Sequence, residues 1–229
     1  MERISVIVPV LNEAARIGAA LDALVPMRQR GHEVIVVDGG SRDGTVDLAC
    51  ARADKVLMSP RGRAVQMNAG AHAATGDVLL FLHADTRLPA GADEAIARGL
   101  ASTGRVWGRF DVHIDGRSAW LPVVARLMNL RSRATGIATG DQAMFVRRAA
   151  FERSGGFPPL EIMEDIALSA RLKRMSRPIC LRDTVITSGR RWDERGALRT
   201  ICLMWWLRLR FLAGEAPSRL ARVYDGERG

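Results

Sequence analysis

The amino-acid sequence predicts an α/β fold, a mostly parallel sheet flanked by helices with a helical extension at the carboxyl end. Two observations carry that expectation. Short apolar runs of strand length alternate with stretches of helical periodicity, reading β-α-β-α-β-α-β as far as Leu82. Three of those runs end in carboxylates: Ile4–Val10 leads into Asn12-Glu13, residues 34–37 into Asp38, and residues 78–82 into His83-Ala84-Asp85. Parallel strands open their carboxyl ends onto one edge of a sheet, where such folds hold ligands, so three acidic termini describe a site. An acidic rim facing a phosphorylated ligand calls for a cation, and a divalent metal held by Asp85 is the simplest one.

Residues 4–10 read as a strand buried on both faces, and residues 15–24 as a helix started by Asn12 and Glu13. The second strand is 33–38. The turn Gly39-Gly40-Ser41-Arg42-Asp43-Gly44-Thr45 tolerates positive φ, and Asp43 or Thr45 caps a helix to about residue 53. A short strand at 55–58 leads through Pro60-Arg61-Gly62-Arg63 into a helix of small residues around Gln66, Asn68 and Gly70. Thr75-Gly76 ends that helix before the fourth strand, 78–82. Past Asp85 the pattern weakens, with helices at 93–100 and 118–130 and strands near 106–112 and 143–146. A short helix from Arg148 and a break at Gly155-Gly156-Phe157-Pro158 precede a helix at about 165–173. The remaining elements are a strand at 185–187, an amphipathic helix at 196–212 and a short helix from Pro217.

With 229 residues, 48% of them hydrophobic, the chain holds one full core and at most a small appended lobe. The formal charge of +9 is almost wholly arginine, Lys55 and Lys173 being the only lysines, a bias that often follows genome composition. A nucleic-acid surface would cluster basic residues with aromatics on one face; here they are scattered, and no nucleic-acid partner is expected. Cys50, Cys180 and Cys202 are odd in number and lack metal-ligand spacing, which fits buried thiols in the reducing cytoplasm. No signal peptide is visible. Residues 201–212 are shorter than the ~20 a spanning helix needs and are interrupted by Arg208 and Arg210, which leaves lying on the inner face of a membrane as an option.

Gly39-Gly40 is not a dinucleotide fingerprint, because those glycines follow the first strand, and here Pro9-Val10-Leu11-Asn12-Glu13 follows it. Read together, Val6-Ile7-Val8-Pro9 to Asn12-Glu13, Val36-Val37-Asp38-Gly39-Gly40-Ser41 to Asp43-Gly44-Thr45, and Phe81-Leu82-His83-Ala84-Asp85 resemble the inverting family-2 glycosyltransferases of GT-A fold. Gly155-Gly156-Phe157 and Glu164-Asp165 look like that family's late acidic motif. The His-Ala-Asp-Thr form further resembles a bacterial subgroup labelled as selenodomain-associated or arsenosugar-biosynthesis transferases.

The resemblance implies a GT-A domain over 1–192, with a nucleotide-sugar half at 1–100 and an acceptor half at 101–192, followed by an amphipathic helical extension at 193–229. It implies a nucleotide diphosphate sugar donor, UDP-linked, and metal-assisted inverting transfer. Donor contacts fall on Pro9, Asn12, Glu13, Asp38, Arg61, Arg63, Asn68, Asp85 and Arg191. Asp85 closes the D-x-D element that holds Mn2+ or Mg2+; His83 replaces its first carboxylate, and an imidazole ligand favours manganese. Asp165 is the expected base and Glu164 its orienting neighbour, although carboxylates also favour any helix start. Trp192, Asp141 and Gln142 fall on the acceptor side. The acceptor is unnamed; a lipid-linked one would suit a membrane contact through Trp205, Trp206 and Phe211. The rivals are a sugar-1-phosphate nucleotidyltransferase, which wants a glycine-rich Arg-containing loop after the first strand, and a non-catalytic membrane-associated nucleotide-sugar-binding protein, which has no use for Asp165.

Overall fold

The structure is a computed structural model describing residues 2–226, except the side chains of Arg191, Arg195, Ala197, Leu198 and Asp225. Its first half is a repeating strand and helix unit: β1 (Ile4–Val10), α1 (Ala14–Asp22), α2 (Val25–Gln29), β2 (Glu33–Asp38), α3 (Thr45–Cys50), β3 (Lys55–Met58), α4 (Arg63–Ala73) and β4 (Val78–Phe81). The second half holds β5 (Thr86–Arg87), α5 (Ala92–Thr103), β6 (Trp107–Asp115), α6 (Leu121–Thr135), β7 (Phe145–Arg147), α7 (Arg148–Arg153), α8 (Glu164–Met175) and β8 (Ile179–Ser188). Helices α9 (Arg190–Arg195), α10 (Ala197–Leu212) and α11 (Pro217–Gly226) close the chain.

One eight-stranded sheet runs β3-β2-β1-β4-β7-β6-β8-β5. Strands β1 to β4 are parallel, and β7 runs against both β4 and β6. The sheet is therefore mixed, and the reversal matters for the site. Phe145 at the start of β7 stands opposite Leu80 near the end of β4, so the segment entering β7 arrives at the edge from which β4 departs.

Alternation along the buried strands sends successive side chains to two cores. Ile4, Val6, Val8 and Val10 pack on one face with Ile17 and Leu21 of α1 and Ile96 of α5. Ile7, Ile35, Val37, Leu79 and Phe81 face the other way, against Ala64, Met67 and Ala71 of α4 and Leu168 and Leu172 of α8. Helix α4 comes unusually near the sheet because Gly70 has no side chain: a Cβ there would lie 2.5 Å from Ile7 Cγ2. That approach sets the height of the α4 amino terminus at the carboxyl edge of the parallel strands.

Three elements differ from expectation. The first helix ends early and α2 follows it, Pro26 standing where a helix start accepts it. Strand β8 is ten residues long where three were expected, because its middle breaks the pattern: Arg182, Asp183 and Thr184 are polar and exposed, and pairing with β6 is interrupted by a bulge between the Arg109–Cys180 and Asp111–Thr184 pairs. Strand β5 has only two residues, too short to carry a pattern. Helix α9 spans residue 192, and Trp192 packs on the main core.

Helix α10 packs on the body through one face only. Leu207 is fully buried with Ile162, Met163, Ile166 and, from α11, Leu220, while Trp205, Trp206, Leu209 and Leu212 stay exposed. The Arg210 guanidinium lies 5.5 Å from the centre of the Trp206 ring. Among the described residues no helix is long and apolar enough to cross a membrane.

At the opposite edge of the sheet, the Glu33 carboxylate is almost fully buried and receives Ser5 Oγ at 2.5 Å, Thr75 Oγ1 at 2.7 Å and the Thr75 N–H. Burial pushes its pKa up, but these hydrogen bonds and the Lys55 ammonium outweigh burial and bring it from 4.5 to about 2. A lowered carboxylate pKa stabilises the fold at pH above its unfolded value, and that stability is lost as pH falls through about 2. The difference corresponds to roughly 3 kcal/mol. Urea unfolding of Glu33→Gln is expected to show a loss of that order at pH 7 and a flatter decline between pH 5 and pH 2 than the parent chain. An unchanged pH profile would show that Glu33 is not the group being titrated.

Candidate active site

The loops after β1 and β2 are laced to each other. Asn12 takes a left-handed backbone (φ 53°), its N–H donates to Ser41 Oγ at 2.8 Å, and its Oδ1 accepts the Arg42 N–H at 2.9 Å. Glu13 N–H donates to Thr45 Oγ1 at 2.8 Å, and the Glu13 carboxylate lies 3.2 Å from Arg16. Both side chains expected at the donor thus shape the loops. Pro9 lies inside β1, one residue before its end.

Asp38 closes β2 and is fully buried. Its Oδ2 accepts Gly40 N–H at 2.7 Å and Ser41 N–H at 2.8 Å, while its Oδ1 is buried without a partner. A carboxylate oxygen left so is costly, and one hydrogen-bond donor from a ligand would satisfy it.

Gln66, to which the sequence assigned no role, fixes this edge. Its Nε2 donates to Val10 O and to Val37 O, each at 2.8 Å, tying α4 to the ends of β1 and β2. A lone glutamine in a helix of small residues carries no signal of that task. Asn68 is a brace of the same kind: Nδ2 donates to Phe157 O at 2.8 Å and Oδ1 accepts Phe157 N–H at 3.0 Å. Both functions of its amide hold the Gly155-Gly156-Phe157 turn, where Gly156 lies too close to Asn68 Oδ1 to carry a side chain.

Arg61 and Arg63 are exposed beside the start of α4, which has no side-chain cap, so its first N–H groups are open. Arg63 Nη1 stands 3.7 Å from Glu164 Oε1. Partial desolvation by the surrounding protein pushes the pKa of the Arg63 guanidinium down, but Glu164, Asp141, Asp165 and Asp85 together raise it above its ordinary value. The carboxylates expected from distant parts of the sequence therefore converge on one cation.

The reversal of β7 brings Gly140, Asp141 and Gln142 to the end of β4. His83 Nδ1 lies 3.4 Å from Asp141 Oδ1, and the ring is seated against Gly140, where a Cβ would come within 2.6 Å. Gly140 N–H donates to Asp165 Oδ2 at 2.8 Å, and Ile166 N–H to Asp165 Oδ1 at 2.7 Å. Gln142 is fully buried; its Oε1 accepts Thr139 N–H and its Nε2 reaches Asn129, so its amide is turned into the protein. The Arg191 side chain lies outside the described residues.

Backbone strain gathers at the same place. The non-glycine residues with positive φ among the described residues are Asn12, Ala143 and Met163, one on each loop entering this edge. A small cavity extends inward from it, walled by Phe81, Met144 and Phe157 and by His83, Glu164 and Asp165.

Glu164 is buried, and burial first, then the neighbouring Asp165 carboxylate, pushes its pKa up to about 6 against the pull of Arg63. A raised carboxylate pKa means that ionisation destabilises the fold as pH rises from 4.5 through about 6. Glu164→Gln should then melt higher than the parent above pH 6, by an amount equivalent to about 2 kcal/mol, and no higher below pH 4.5. A lower melting temperature at pH 7.5 would show the Arg63 pair to outweigh burial.

Among the described residues no three His, Cys, Asp or Glu side chains are arranged to hold a metal by themselves. Asp85, half-buried at the β4 edge, lies within an excess of carboxylates that Arg63 alone does not neutralise. That donor set fits a divalent ion anchored on Asp85 and completed by ligand phosphate oxygens.

Residues 5–155 match the family described as Glycosyl transferase family 2. The chain belongs to that family. An undecaprenyl-phosphate 4-deoxy-4-formamido-L-arabinose transferase of Pseudomonas paraeruginosa is 30% identical over 168 residues, covering 67% of this chain and 48% of the relative. A PGL/p-HBAD biosynthesis glycosyltransferase of Mycobacterium bovis is 38% identical over 91 residues, 37% of this chain and 36% of its own. The chain thus spans about half the length, or less, of the curated relatives it matches. Among solved structures, the mannosyltransferase PcManGT of Pyrobaculum calidifontis, in complex with GDP-Man and Mn2+, superposes with a TM-score of 0.66 at 24% identity. That likeness covers 99% of this chain and 69% of the other. Glucosyl-3-phosphoglycerate synthase of Mycobacterium tuberculosis, with Mn2+, UDP and phosphoglyceric acid, gives 0.57 at 21% identity over 80% of this chain and 68% of the synthase. The fold of this family-2 chain is GT-A.

Proposed function

We propose that the chain transfers a sugar from a nucleotide diphosphate donor, with UDP as the nucleotide, to an acceptor oxygen, inverting the anomeric carbon. The observation that supports this most is the convergence of Asp165, Glu164, Asp141 and Asp85 on Arg63 at the carboxyl edge of the sheet. The free Oδ1 of Asp38 accepts a hydrogen bond from the nucleoside, and Arg61, Arg63 and the open α4 amino terminus take the diphosphate. Arg191 assists the diphosphate, and Trp192 and Asp141 border the acceptor.

Asp165, orientated through both oxygens by backbone N–H groups, takes the proton of the acceptor oxygen as that oxygen bonds to the anomeric carbon. The bond from that carbon to the diphosphate breaks on the opposite side, and the nucleotide leaves with its electron pair. Glu164 holds Arg63 in place. Asp85, with His83 beside it, would hold Mn2+ or Mg2+, which supplies positive charge to the departing diphosphate.

The exposed Trp205, Trp206, Leu209 and Leu212 of α10 support a peripheral contact with the inner face of a membrane. An acceptor presented by that membrane is consistent with the undecaprenyl-phosphate in the name of the Pseudomonas relative. Incubation with a panel of nucleotide sugars, products read by mass spectrometry, tests the reading. UDP-sugars should be consumed and Asp38→Ala should weaken UDP binding without lowering the melting temperature. Failure to bind UDP or consume any donor would overturn it.

A further inference from the structure

A second cleft opens where β6 and β8 begin. It has a volume of about 380 Å³ and is lined by Arg105, Arg133, Arg177 and Arg182 together with Pro178 and Cys180. Arg105 precedes β6, Arg133 stands on the last turn of α6, Arg177 and Pro178 follow α8, and Cys180 and Arg182 lie on β8. The Arg147 N–H, opposite Val78 at the start of β4, donates to Val106 O at 2.8 Å, so β6 begins at the edge where β4 begins. The candidate active site lies at the other edge, where β4 ends.

The cleft is short of negative charge. Arg133 Nη2 donates to Asp111 Oδ2 at 2.6 Å, but the same carboxylate also takes the fully buried Arg109, and Arg133 Nη1 is buried with no hydrogen-bond partner. Arg105 Nη1 donates only to a carbonyl, Pro178 O at 2.9 Å. Arg177 and Arg182 are exposed, and their guanidinium groups meet no carboxylate among the described residues. Two residues before Arg133, Arg131 leaves Nε and Nη2 buried without partners and feels the charge of Arg109. Strand β8 is bulged beside them: Cys180 pairs with Arg109 and Thr184 with Asp111, so three residues stand opposite one, and Arg182 is among the three. Asp183, its neighbour in the bulge, does not line the cleft. Like charges gathered without counter-ions repel one another and destabilise the chain, and a bound anion removes that repulsion.

We propose that this cleft is a second ligand site, separate from those of sugar donor and acceptor, and that it takes a small soluble polyphosphate, inorganic pyrophosphate being the minimal ligand. Guanidinium forks from four segments of the chain can meet several oxygens at once, which suits a compact ligand of multiple negative charge better than a single carboxylate. The volume is that of a small-ligand pocket. No aromatic ring lines it to stack a base, and Pro178 is the only apolar side chain present to meet a lipid tail. The cleft shares no lining residue with the cavity at His83 and Asp165, so its occupancy does not depend on the glycosyl-transfer reading.

The test uses the full chain without nucleotide or divalent metal, with pyrophosphate as the probe and Cys180 as the local reporter. Cys180 is half-buried in the cleft wall, while Cys50 and Cys202 are exposed elsewhere and serve as internal references. Alkylation by neutral iodoacetamide is read cysteine by cysteine with mass spectrometry. Pyrophosphate at about ten times its Kd should slow labelling of Cys180 about tenfold, as mass action requires, and leave Cys50 and Cys202 unchanged. Sodium chloride of equal ionic strength should not reproduce the effect. Arg177→Gln with Arg182→Gln removes two charges that no carboxylate holds, so this variant should melt no lower than the parent and bind pyrophosphate in the cleft about a hundredfold more weakly. Calorimetry, which needs no thiol, should count one pyrophosphate fewer on the variant. Equal pyrophosphate binding by parent and variant overturns the proposal. So does slowing of Cys180 that chloride reproduces, which would mark charge screening only. Retention of the parent on phosphatidylglycerol vesicles that the variant loses, with no pyrophosphate bound in the cleft, overturns it as well and assigns an anionic lipid surface.

Discussion

Replacing Asp165 by asparagine should lower turnover by about 10²–10⁴-fold while leaving UDP affinity nearly unchanged. The side chain is nearly isosteric, and its Oδ1 would still accept the Gly140 or Ile166 N–H that now orients the carboxylate. What asparagine cannot do at neutral pH is take the acceptor proton. Steady-state rates and calorimetric UDP affinity on the same variant decide the matter. If the aspartate only favours the start of α8 through the helix dipole, activity survives in the variant, and that result would falsify the base assignment. A joint loss of rate and binding with a lowered melting temperature would place Asp165 among the groups that build the site.

Removing the Asp85 carboxylate should abolish metal dependence together with most of the turnover, a loss of about 10²–10³-fold, comparable to deleting one preorganised electrostatic stabiliser. Asp85 follows β4 and, with Glu164, Asp141 and Asp165, acts on the charge of Arg63. In Asp85→Ala, chelator should no longer weaken UDP binding, whereas in the parent chain it should weaken binding severalfold. Equal UDP affinity of the parent with and without manganese would remove the metal from the mechanism. His83→Asp is the informative companion: an oxygen ligand in place of imidazole should shift preference toward magnesium. The same change removes the ring seated on Gly140, so the Asp141 partner would have to reorientate.

The early strands were legible because each is an unbroken apolar run bounded by turn residues, and β1 and β2 match the expected limits. Asp38 was legible as the carboxylate that closes the second strand, and in the structure its Oδ2 caps the following turn through the Gly40 and Ser41 N–H groups. The role of Asn68 was not legible. A helix asparagine facing a ligand and one clamping a turn 89 residues away look identical until the chain folds. Gln142 was placed on the acceptor side from its position in the chain, and its amide is turned wholly into the protein. Arg131 carried no signal in an arginine-rich chain, because its distinction is the absence of partners that only packing can supply or withhold.

The sequence by itself determined the α/β alternation and the family-2 motifs, because side-chain period follows from local chemistry. Tertiary structure alone decided how the two halves meet. Strand β7 enters the sheet antiparallel beside β4 and delivers Gly140 and Asp141 to His83 and Asp165. It also decided that α10 packs on the body through Leu207 while Trp205 and Trp206 face outward, a division that its amphipathic pattern left open. The reason is physical: strand order and helix docking depend on contacts between residues far apart in the chain, and local propensity contains no term for them.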